Sequence, residues 1–497
     1  MTPDEIIEPQ ITQPTSHERQ SSSWDIRNAP RNYAALVAYQ VLSAAFSFGA
    51  VWLITRHLGS EGYGGIVAII AASQVAQVFV NWTSTAVVRF GVDEFVETEK
   101  ISRTFWVRFV VLVVNLLAVA LISRLWFPQL ANWLKLSPQT FWLVIAHFAV
   151  TVIWIHVQMS LQAAKLPRAQ GLLQMIERLM IFAGIFALTA AANLTPIFAM
   201  LCYIIAPAAM IFAGLFKLRH FINARFDIDR AFVRKIVAYS IPLLPFSLVG
   251  YFSGSYVDAI FVSKFLSTND LGIYAVATQI NGIALQLPTL ANTLLLPLFV
   301  TLTNEGLNEK IKSYFTHALP AITLLGGLSG TMLSAAGYVL IPVIFGSEFE
   351  QAAVPLWILI SSSVVGLPAL LGYASATHSS SLTYVATIAS VFAATANIAL
   401  NFLLIPIWGL EGCAWATLSA ILISTIIFAT MLKRKIQLPP SWSFFAILPN
   451  LAATITLSLT HNIYFAITIG ITLTALFLLL KRRSFTSGLS VIMRSYK

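Results

Sequence analysis

The sequence predicts an all-α membrane protein of about fourteen transmembrane helices, with two pseudo-symmetric six-helix bundles followed by two further helices. Hydrophobic residues make up 58% of the 497 residues, charged residues make up 10%, and the mean hydropathy is +0.80. A soluble domain carries about 25% charged residues. The apolar residues form repeated runs of about 18 to 22 residues, which is the length that crosses a hydrocarbon layer of about 30 Å. A short motif also occurs twice, once in each half of the chain.

The composition excludes several classes of protein. A net charge of +10 could suggest nucleic-acid binding, but Lys and Arg lie in short loops between apolar runs and not on one continuous face. The two cysteines, Cys202 and Cys413, lie in apolar segments and provide neither a disulfide framework nor a zinc site. No phosphate-binding loop, zinc-protease motif or nucleophile elbow is present, which argues against ATP-driven pumping by this chain alone. No cofactor is expected.

The first 32 residues are polar, with prolines that include Pro3, Pro9 and Pro14 and with a run of three serines at 21–23. Such a segment has too few large apolar groups to offset the entropy of ordering, so a disordered cytoplasmic tail is expected. The segment lacks the basic start and apolar core of a cleaved signal peptide, and the first membrane helix is expected to act as its own anchor.

Apolar runs between charged, proline and glycine residues define the predicted helices and divide the chain. The first bundle covers residues 33–216, with helices near 33–54, 64–88, 105–122, 141–162, 172–191 and 197–216. A cytoplasmic amphipathic linker covers residues 217–238. The second bundle covers residues 239–432, with helices near 239–261, 271–294, 315–333, 353–371, 382–405 and 413–432. Two extra helices lie within residues 433–480, near 443–459 and 463–480, and a basic cytoplasmic tail covers residues 481–497.

The distribution of positive charge predicts the orientation of these helices, because Lys and Arg are retained on the cytoplasmic side. With the N-terminus inside, roughly 25 Lys and Arg fall on the cytoplasmic side and roughly 4 outside. The richest loop, residues 217–235, alternates apolar residues with arginines, as would an amphipathic segment on an anionic leaflet. Topology alone explains that loop equally well. Both termini are therefore predicted to be cytoplasmic.

An internal repeat relates the two bundles. Residues 56–64 (RHLGSEGYG) and 264–272 (KFLSTNDLG) share a basic residue, a leucine and a glycine at equal spacing. Because each copy heads an even number of helices, the two bundles would form a parallel repeat about an axis along the membrane normal. Two bundles that face each other across a cleft are a transporter architecture. Chance similarity of one nine-residue turn is the alternative.

Polar residues recur at helical spacing in the first, second, seventh and eighth predicted helices. Steps of three and four residues place each set on one helical face. The sets are Gln40, Ser43 and Ser47; Ser73, Gln77, Asn81 and Ser84; Ser247, Tyr251, Gly254 and Asp258; and Gln279, Gly282, Gln286, Thr289 and Thr293. Ordinary interhelical hydrogen bonding explains any one set. Because these helices are the repeated pairs, the four sets together are predicted to line a shared cleft.

Full charges stand out in two of the predicted helices, the fifth and the seventh. Arg178 follows Glu177 in the fifth helix, and its planar guanidinium group suits a diphosphate. An ion pair with Glu177 or an interfacial anchor is the alternative. Asp258 in the seventh helix is a candidate for a coupling cation or proton, or for a local hydrogen-bond network with Tyr251 and Ser255.

Three further charges, Arg89, Asp93 and Glu94, follow the second predicted helix at its inner mouth. They are candidates to attract or gate a substrate, and a solvated loop is the alternative. His147 and His156 lie in the fourth helix, where packing or hydrogen bonding is expected because no metal-ligand set surrounds them.

Three stretches carry a resemblance to a known family. They are residues 58–64 (LGSEGYG), residues 255–258 (SYVD) followed by 271–275 (LGIYA), and residues 397–416 (NIALNFLLIPIWGLEGCAWA). With these stretches the chain, from about residue 33 to 480, resembles the polysaccharide flippases of the multidrug/oligosaccharidyl-lipid/polysaccharide exporter superfamily. It differs from many of them in carrying Ala259, and not a basic residue, after Asp258.

The resemblance implies two bundles around a V-shaped cavity and two extra C-terminal helices. It implies a transporter, not an enzyme, that carries undecaprenyl-diphosphate-linked oligosaccharide repeat units for O-antigen, exopolysaccharide or capsule. Transport would run from the cytoplasmic to the periplasmic leaflet of a bacterial inner membrane by alternating access, driven by an ion or the membrane potential. Polysaccharide polymerase and chain-length proteins would be partners.

Three alternatives remain open from the sequence. A lipid-linked peptidoglycan precursor flippase is a sibling that also has fourteen helices, whereas a drug or cation antiporter of the superfamily usually has twelve. A membrane-embedded glycan polymerase or transferase belongs to a different class, and the short predicted outer loops leave little room for its active site.

Overall fold

The computed structural model describes residues 16–223, 229–241, 255–379, 382–435, 442–482 and 485–487, and most of their side chains from Ala34 onward. Within these ranges the secondary structure is helical and contains no strand. The helices of the first bundle are α1 (Ser16–Asn81), α2 (Ser84–Thr98), α3 (Ser102–Trp133), α4 (Phe141–Ala163), α5 (Pro167–Ala190) and α6 (Pro196–Leu218).

The second bundle follows a short linker helix, α7 (Arg230–Ser240). Its helices are α8 (Ser255–Phe265), α9 (Thr268–Ala284), α10 (Gln286–Asn304), α11 (Asn308–Ser313), α12 (Leu319–Ile344), α13 (Ala353–Pro368), α14 (Ala374–Ser379) and α15 (Thr383–Lys435). The C-terminal pair is α16 (Ser443–Thr460) and α17 (Ile463–Leu480).

Two of the helices are each long enough for two membrane crossings. The apolar part of α1, Ala34–Asn81, has 48 residues, and that of α15, Tyr384–Lys435, has 52, whereas a single crossing needs about 20. Each is interrupted at one glycine, Gly59 with φ 67° and Gly409 with φ 56°. A glycine adopts this left-handed conformation without the steric cost of a Cβ atom, so the chain can turn there and cross back.

The described ranges contain ten helices that are long and apolar enough to span a membrane. Counting α1 and α15 twice gives twelve spans. Helix α8 belongs to the predicted seventh span, and α9 with α10 forms the eighth. The predicted class, an all-α membrane protein of fourteen spans, is confirmed.

The two copies of the sequence repeat meet face to face. A Cβ atom added to Gly64 would lie 1.9 Å from the carbonyl oxygen of Thr268, and one added to Gly272 would lie 1.9 Å from that of Ser60. The constant offset of the repeat relates Gly64 to Gly272 and Ser60 to Thr268. The backbones of α1 and α9 therefore cross at van der Waals distance about a pseudo-two-fold axis. This end of the molecule is called the apex below.

The hydrogen bonds that join the two bundles, among the described residues, lie at the apex. Trp52 and Arg56 donate to carbonyl oxygens at the end of α12, Ser60 bonds to Asn269 and Glu348, and Lys135 donates to the carbonyl oxygen of Leu266. The bundles are thus fastened at the apex, and a cavity separates them further along the membrane normal.

The C-terminal pair packs on the outside of the second bundle. The side-chain amide of Asn450 donates to Thr331 Oγ1 at 3.0 Å, and Ser361 bonds to Thr454. The faces of the molecule that point away from the cavity carry large apolar side chains, such as Leu125 and Leu479, which are 82% and 74% exposed. Such a surface is suited to lipid and not to water.

Some predicted boundaries differ from the structure. Helix α1 begins at Ser16, so residues 16–32, predicted to be disordered, are helical; low apolar content removes burial but not helix propensity. The second predicted helix ended at residue 88, whereas α1 ends at Asn81 and α2 extends to Thr98. The predicted amphipathic linker contains α7, whose Phe232 and Ile236 are buried against Phe90 and Val107 of the first bundle.

Candidate functional site

A cavity of about 750 Å³ lies between the two bundles. Its walls come from α1, α4, α5 and α6 on one side and from α8, α9 and the start of α10 on the other. Its polar lining consists of Gln40, Ser43, Ser47, Gln74, Gln77, His147, Thr151, Gln158, Gln174, Glu177, Arg178, Thr278, Gln279 and Gln286. Aromatic rings of Tyr63, Trp154, Tyr203, Tyr256 and Tyr274 complete it.

The cavity extends from just below the apex toward the end of the molecule that carries the described parts of both termini. Along α1 its lining runs from Gln40 to Val51, which corresponds to about 16 Å of helix. Tyr63 and Leu271, next to the glycine crossing, close it on the apex side.

Five of the predicted site residues lie in the cavity wall: Gln77, Glu177, Arg178, Gln279 and Gln286. The side chain of Glu177 is buried and accepts a hydrogen bond from the indole Nε1 of Trp154 at 2.7 Å. The guanidinium group of Arg178 has no hydrogen-bond or ion-pair partner among the described residues, so the alternative of an ion pair with Glu177 is not observed. Arg178 thus presents a free cation to the cavity.

Arg178 lies deeper than the sequence suggested. Helix α5 begins at Pro167 and not near residue 172, so Arg178 lies 11 residues along a helix of 24. At 1.5 Å per residue this is about 17 Å from the end of the helix. Arg178 therefore lies near the middle of α5, further from the helix end than the predicted start near residue 172 implied.

The other predicted site residues lie elsewhere. Asn81 is one turn beyond Gln77 on α1 and accepts a hydrogen bond from Arg108 at 3.4 Å. Arg89 is exposed and forms an ion pair with Asp93 at 2.6 Å, while Glu94 accepts hydrogen bonds from two backbone amides at the start of α3. Tyr251 lies outside the described residues, as do Ser247 and Gly254.

Asp258 is buried inside the second bundle, behind the cavity wall. Its carboxylate accepts hydrogen bonds from the side-chain amide of Asn401 at 3.0 Å, the hydroxyl of Thr417 at 2.8 Å and the hydroxyl of Tyr274 at 3.2 Å. Asn401 also donates to Asn397 at 3.1 Å. All three partners are neutral, so none of them balances a charge on the Asp258 carboxyl group. Asp258 thus belongs to a network with residues of α9 and α15. The predicted partners are not part of that observation, because Tyr251 and the side chain of Ser255 lie outside what the structure describes.

Sequence patterns did not predict the part of the wall that comes from α4. His147, Thr151, Trp154 and Gln158 follow one another at steps of four, three and four residues, which is a polar face of the same kind as the predicted ones. His147 was expected to be packed or hydrogen-bonded, and its Nδ1 lies 2.6 Å from the hydroxyl of Ser73. The predicted polar faces lie on the repeated helix pairs, whereas the wall also includes α4 and α5.

The lining is chemically suited to a glycan head group. Side-chain amides and hydroxyls both donate and accept hydrogen bonds, as sugar hydroxyls do. Aromatic faces pack against apolar sugar faces. A single free guanidinium can bind two oxygens of a phosphate group. Among the described residues no group of three or more His, Cys, Asp or Glu side chains could hold a metal ion.

Fold and cavity together define a multi-pass membrane protein with two six-helix bundles around a central polar cavity. A family described as polysaccharide biosynthesis protein matches residues 30–303, which is more than half of the chain. The chain belongs to that family.

Curated relatives share part of the sequence. "Probable flippase AglR" of Haloferax volcanii is 31% identical over 196 residues, which are 38% of this chain and 40% of the relative. "Probable low-salt glycan biosynthesis flippase Agl15" of the same organism is 24% identical over 212 residues, 42% of this chain and 44% of the relative. The matched region thus spans less than half the length of these relatives.

Solved structures share the fold. "Lipid II flippase MurJ, inward closed conformation" has a TM-score of 0.64 at 18% identity and covers 91% of this chain and 99% of its own. An inward-facing multidrug resistance MATE family transporter has a TM-score of 0.56 at 12% identity and covers 82% and 98%. These relatives are named as flippases or transporters, and none of them is named as an enzyme.

Proposed function

We propose that this protein moves a lipid-linked oligosaccharide across the membrane by alternating access. One observation carries the proposal most directly: the free guanidinium group of Arg178 lies at mid-depth in a polar cavity between two bundles that are fastened at the apex. A charged group is costly at that depth and is retained where a ligand or water compensates it.

The proposed substrate is an undecaprenyl-diphosphate-linked repeat unit for O-antigen, exopolysaccharide or capsule. Arg178 binds the diphosphate, and Gln77, Gln279 and Gln286 bind the sugar hydroxyls, while the prenyl tail stays in the lipid. The family described as polysaccharide biosynthesis protein and the two relatives named as flippases support a glycan substrate. A polysaccharide polymerase and chain-length proteins would receive the product.

The proposed location is the cytoplasmic membrane of a bacterium, with both termini in the cytoplasm. The bias of positive charge toward one side supports this orientation. The apex then faces the periplasm, and the cavity in this conformation is open toward the cytoplasm. Rocking of the bundles would open the apex and release the head group outside.

Asp258 is the proposed coupling site. A buried carboxylate with only neutral donors around it gains charge balance by binding a proton or a small cation. Because α8, α9 and α15 all contribute to its network, occupancy by an ion would change the packing of the second bundle. Differential occupancy in the two conformations would bias the cycle.

The test is a leaflet assay in cells that make the glycan, with a membrane-impermeant sugar label. We expect Arg178→Gln to reduce outer-leaflet label at least tenfold, because a neutral amide cannot replace charge-assisted bonds to a diphosphate. Arg178→Lys is expected to retain part of the activity. The matched control is Arg124→Gln, which removes an exposed arginine of α3 far from the cavity lining.

Unchanged outer-leaflet label without the protein, together with a changed chain length or linkage, would contradict the proposal and favour a glycan enzyme. Lowered accumulation of cationic dyes, with no effect on the glycan, would favour a drug antiporter.

A further inference from the structure

Arg108 is a buried charge that the proposed transport cycle does not use. It lies six residues after the start of α3 at Ser102 and is 0% exposed. Its Nη2 atom donates to Asn81 Oδ1 at 3.4 Å, which is a long hydrogen bond. Its Nε and Nη1 atoms have no partner among the described residues. A guanidinium group keeps its proton in proteins, so this position carries a full positive charge.

No carboxylate in the described parts of the chain pairs with Arg108. The three ion pairs found there involve other residues. Glu94 uses one carboxylate oxygen to accept from the backbone amide of Arg103 and the other to accept from that of Thr104, both at 2.8 Å. Glu177 is occupied by Trp154. A buried cation without a counter-charge is one of the most unfavourable arrangements in a protein interior, so a compensating group is needed.

The neighbouring polar groups also lack partners. Both ring nitrogens of His156, Oγ1 of Thr104 and Nε2 of Gln77 are buried and make no hydrogen bond with the described residues. Gln77 lies one turn from Asn81 on α1, and Thr104 lies one turn from Arg108 on α3. His156 of α4 stacks near Phe105, at 4.6 Å between ring centroids. We name Gln77, Thr104, Arg108 and His156 the Arg108 cluster.

Each side chain of the cluster has a hydrogen-bond donor that no acceptor among the described residues satisfies. The guanidinium group offers two free N–H directions, the amide of Gln77 offers its NH₂, and a neutral imidazole offers one N–H. These unpaired, buried donors lie on helix turns next to one buried positive charge. A cation would be repelled, and a neutral ligand would leave the charge uncompensated. A small anion meets both requirements.

We propose that the Arg108 cluster binds a small monovalent anion of the halide class. Phe105 and Phe109 flank the ring of His156, at 4.6 Å and 5.8 Å, and limit the space to a compact ion. The site is separate from the Arg178 cavity because Arg108 does not line that cavity. Gln77 belongs to both, so the ion lies one residue behind the wall of the proposed translocation path.

The test measures thermal unfolding of the full-length protein in detergent at constant ionic strength, in sodium chloride, sodium bromide or sodium gluconate. A ligand that binds the folded state raises the melting temperature. We expect wild-type Tm to be at least about 2 °C higher in either halide than in gluconate. Arg108→Gln is expected to abolish the difference. Arg178→Gln, which removes the other membrane-embedded free guanidinium, is the matched control and is expected to retain it.

Crystals grown in bromide provide a second measurement on the wild-type protein, which does not depend on the folding of a variant. An anomalous peak next to Arg108 Nε and Nη1 is the expected result. Either of two outcomes would overturn the proposal. One is a halide effect that disappears in Arg178→Gln and persists in Arg108→Gln, and the other is water density without anomalous signal at Arg108. Neither readout depends on transport, so failure of the flippase proposal leaves this site untouched.

Discussion

Asp258 lies at the centre of a hydrogen-bond network that spans three helices. Substitution of Asp258 should therefore affect both the stability of the protein and the coupling of transport. Asp258→Ala leaves the donors of Asn401, Thr417 and Tyr274 without an acceptor. At about 1 to 3 kcal/mol for each unsatisfied group, we expect a destabilisation of about 3 kcal/mol or more. Asp258→Asn keeps one oxygen acceptor and should destabilise the protein less. Thermal unfolding of both variants in detergent measures the difference.

Asp258→Asn also tests the proposed coupling role. Asp258→Asn keeps one oxygen acceptor for the network, so we expect this variant to remain folded. Its amide cannot release a proton or balance a cation, so we expect outer-leaflet transport to lose its dependence on the membrane potential. Asp93→Asn, at an exposed ion pair with Arg89, is the control and is expected to change stability by less than about 0.5 kcal/mol. Full voltage-dependent transport by Asp258→Asn would remove Asp258 from the coupling role.

Single residues also show where sequence reasoning stopped. Arg108 was not among the predicted site residues, and the predicted start of the third helix at residue 105 places it within the first turn. The structure begins α3 at Ser102 and buries the side chain between three helices. The distance of a charged residue from the end of its helix depends on where the helix starts. Apolar runs in the sequence predict that start only to within a few residues. The same error placed Arg178 too near the interface.

At the level of helices, the crossing of α1 and α9 leaves no room for a side chain. We expect Gly64→Ala or Gly272→Ala to separate the apex, because each added methyl group would lie 1.9 Å from a carbonyl oxygen of the other bundle. The measurement is the labelling rate of a cysteine placed at Ser60, which is buried in the apex-closed conformation. Faster labelling is the expected outcome.

Gly65→Ala provides the control for the glycine crossing. It is the next residue on the same helix, and a Cβ atom there meets nothing within 4 Å. Alanine should therefore be tolerated, and its better helix propensity should stabilise α1 slightly. If Gly65→Ala speeds labelling as much as Gly64→Ala does, the close approach of the two backbones is not what holds the apex.

The linker helix α7 gives a prediction about pH. Asp229 precedes α7 and accepts a hydrogen bond from the backbone amide of Ala231 at 2.8 Å, and it also pairs with Arg103. The bond from Ala231, followed by those from Phe232 and Arg103, lowers the pKa of Asp229. Because the pKa is lower in the folded state, the carboxylate stabilises the helix start above its unfolded pKa of about 4, and this contribution is lost as pH falls through the lower folded value.

Hydrogen exchange measures this effect. We expect Asp229→Ala to lower the protection factors of α7 at neutral pH, and acidification of the wild type below about pH 4 to lower them toward those of the variant. Glu309→Ala, in the exposed ion pair with Lys312, is expected to leave α7 unchanged. Equal protection of α7 in the wild type and in Asp229→Ala at neutral pH would show that Asp229 does not cap the helix.

Helix-level patterns predicted much of the cavity and little of the Asp258 network. The polar sets on the first, second and eighth predicted helices do contribute to the wall, through Gln40, Gln77 and Gln279 among others. Spacing within one helix reveals a polar face because the period of the helix is fixed. Two of the three partners of Asp258, Asn401 and Thr417, lie more than 140 residues away in the sequence. No periodicity relates them, so only the packed bundle shows that they meet.

At the scale of the whole molecule, the apex is closed by basic side chains of the first bundle that donate hydrogen bonds to helix ends of the second. These contacts of Arg56 and Lys135 are called the basic latch below. Arg56 donates from Nε to the carbonyl oxygen of Ile344 at 2.8 Å and also to that of Val343, and Trp52 donates to Ile344 at 2.9 Å. Carbonyl groups in the last turn of a helix lack partners within the helix, and a cation there also complements the helix dipole. Lys135 makes the corresponding contact to Leu266, just after α8. Alternating access requires these bonds to break.

We therefore expect Arg56→Gln combined with Lys135→Gln to shift the population toward an apex-open conformation. The latch is exposed, so each lost contact should weaken the closed state by only about 0.5 to 1 kcal/mol, and together they should change the ratio of the two states about tenfold. Spin labels at the exposed positions Glu61 and Glu350, in a chain whose two cysteines are replaced, report the distance between the bundles. A longer-distance population should grow in the double variant and stay at the wild-type level in Arg124→Gln. Identical distance distributions in the wild type and the double variant would mean that the glycine crossing, and not the basic latch, sets the closed state.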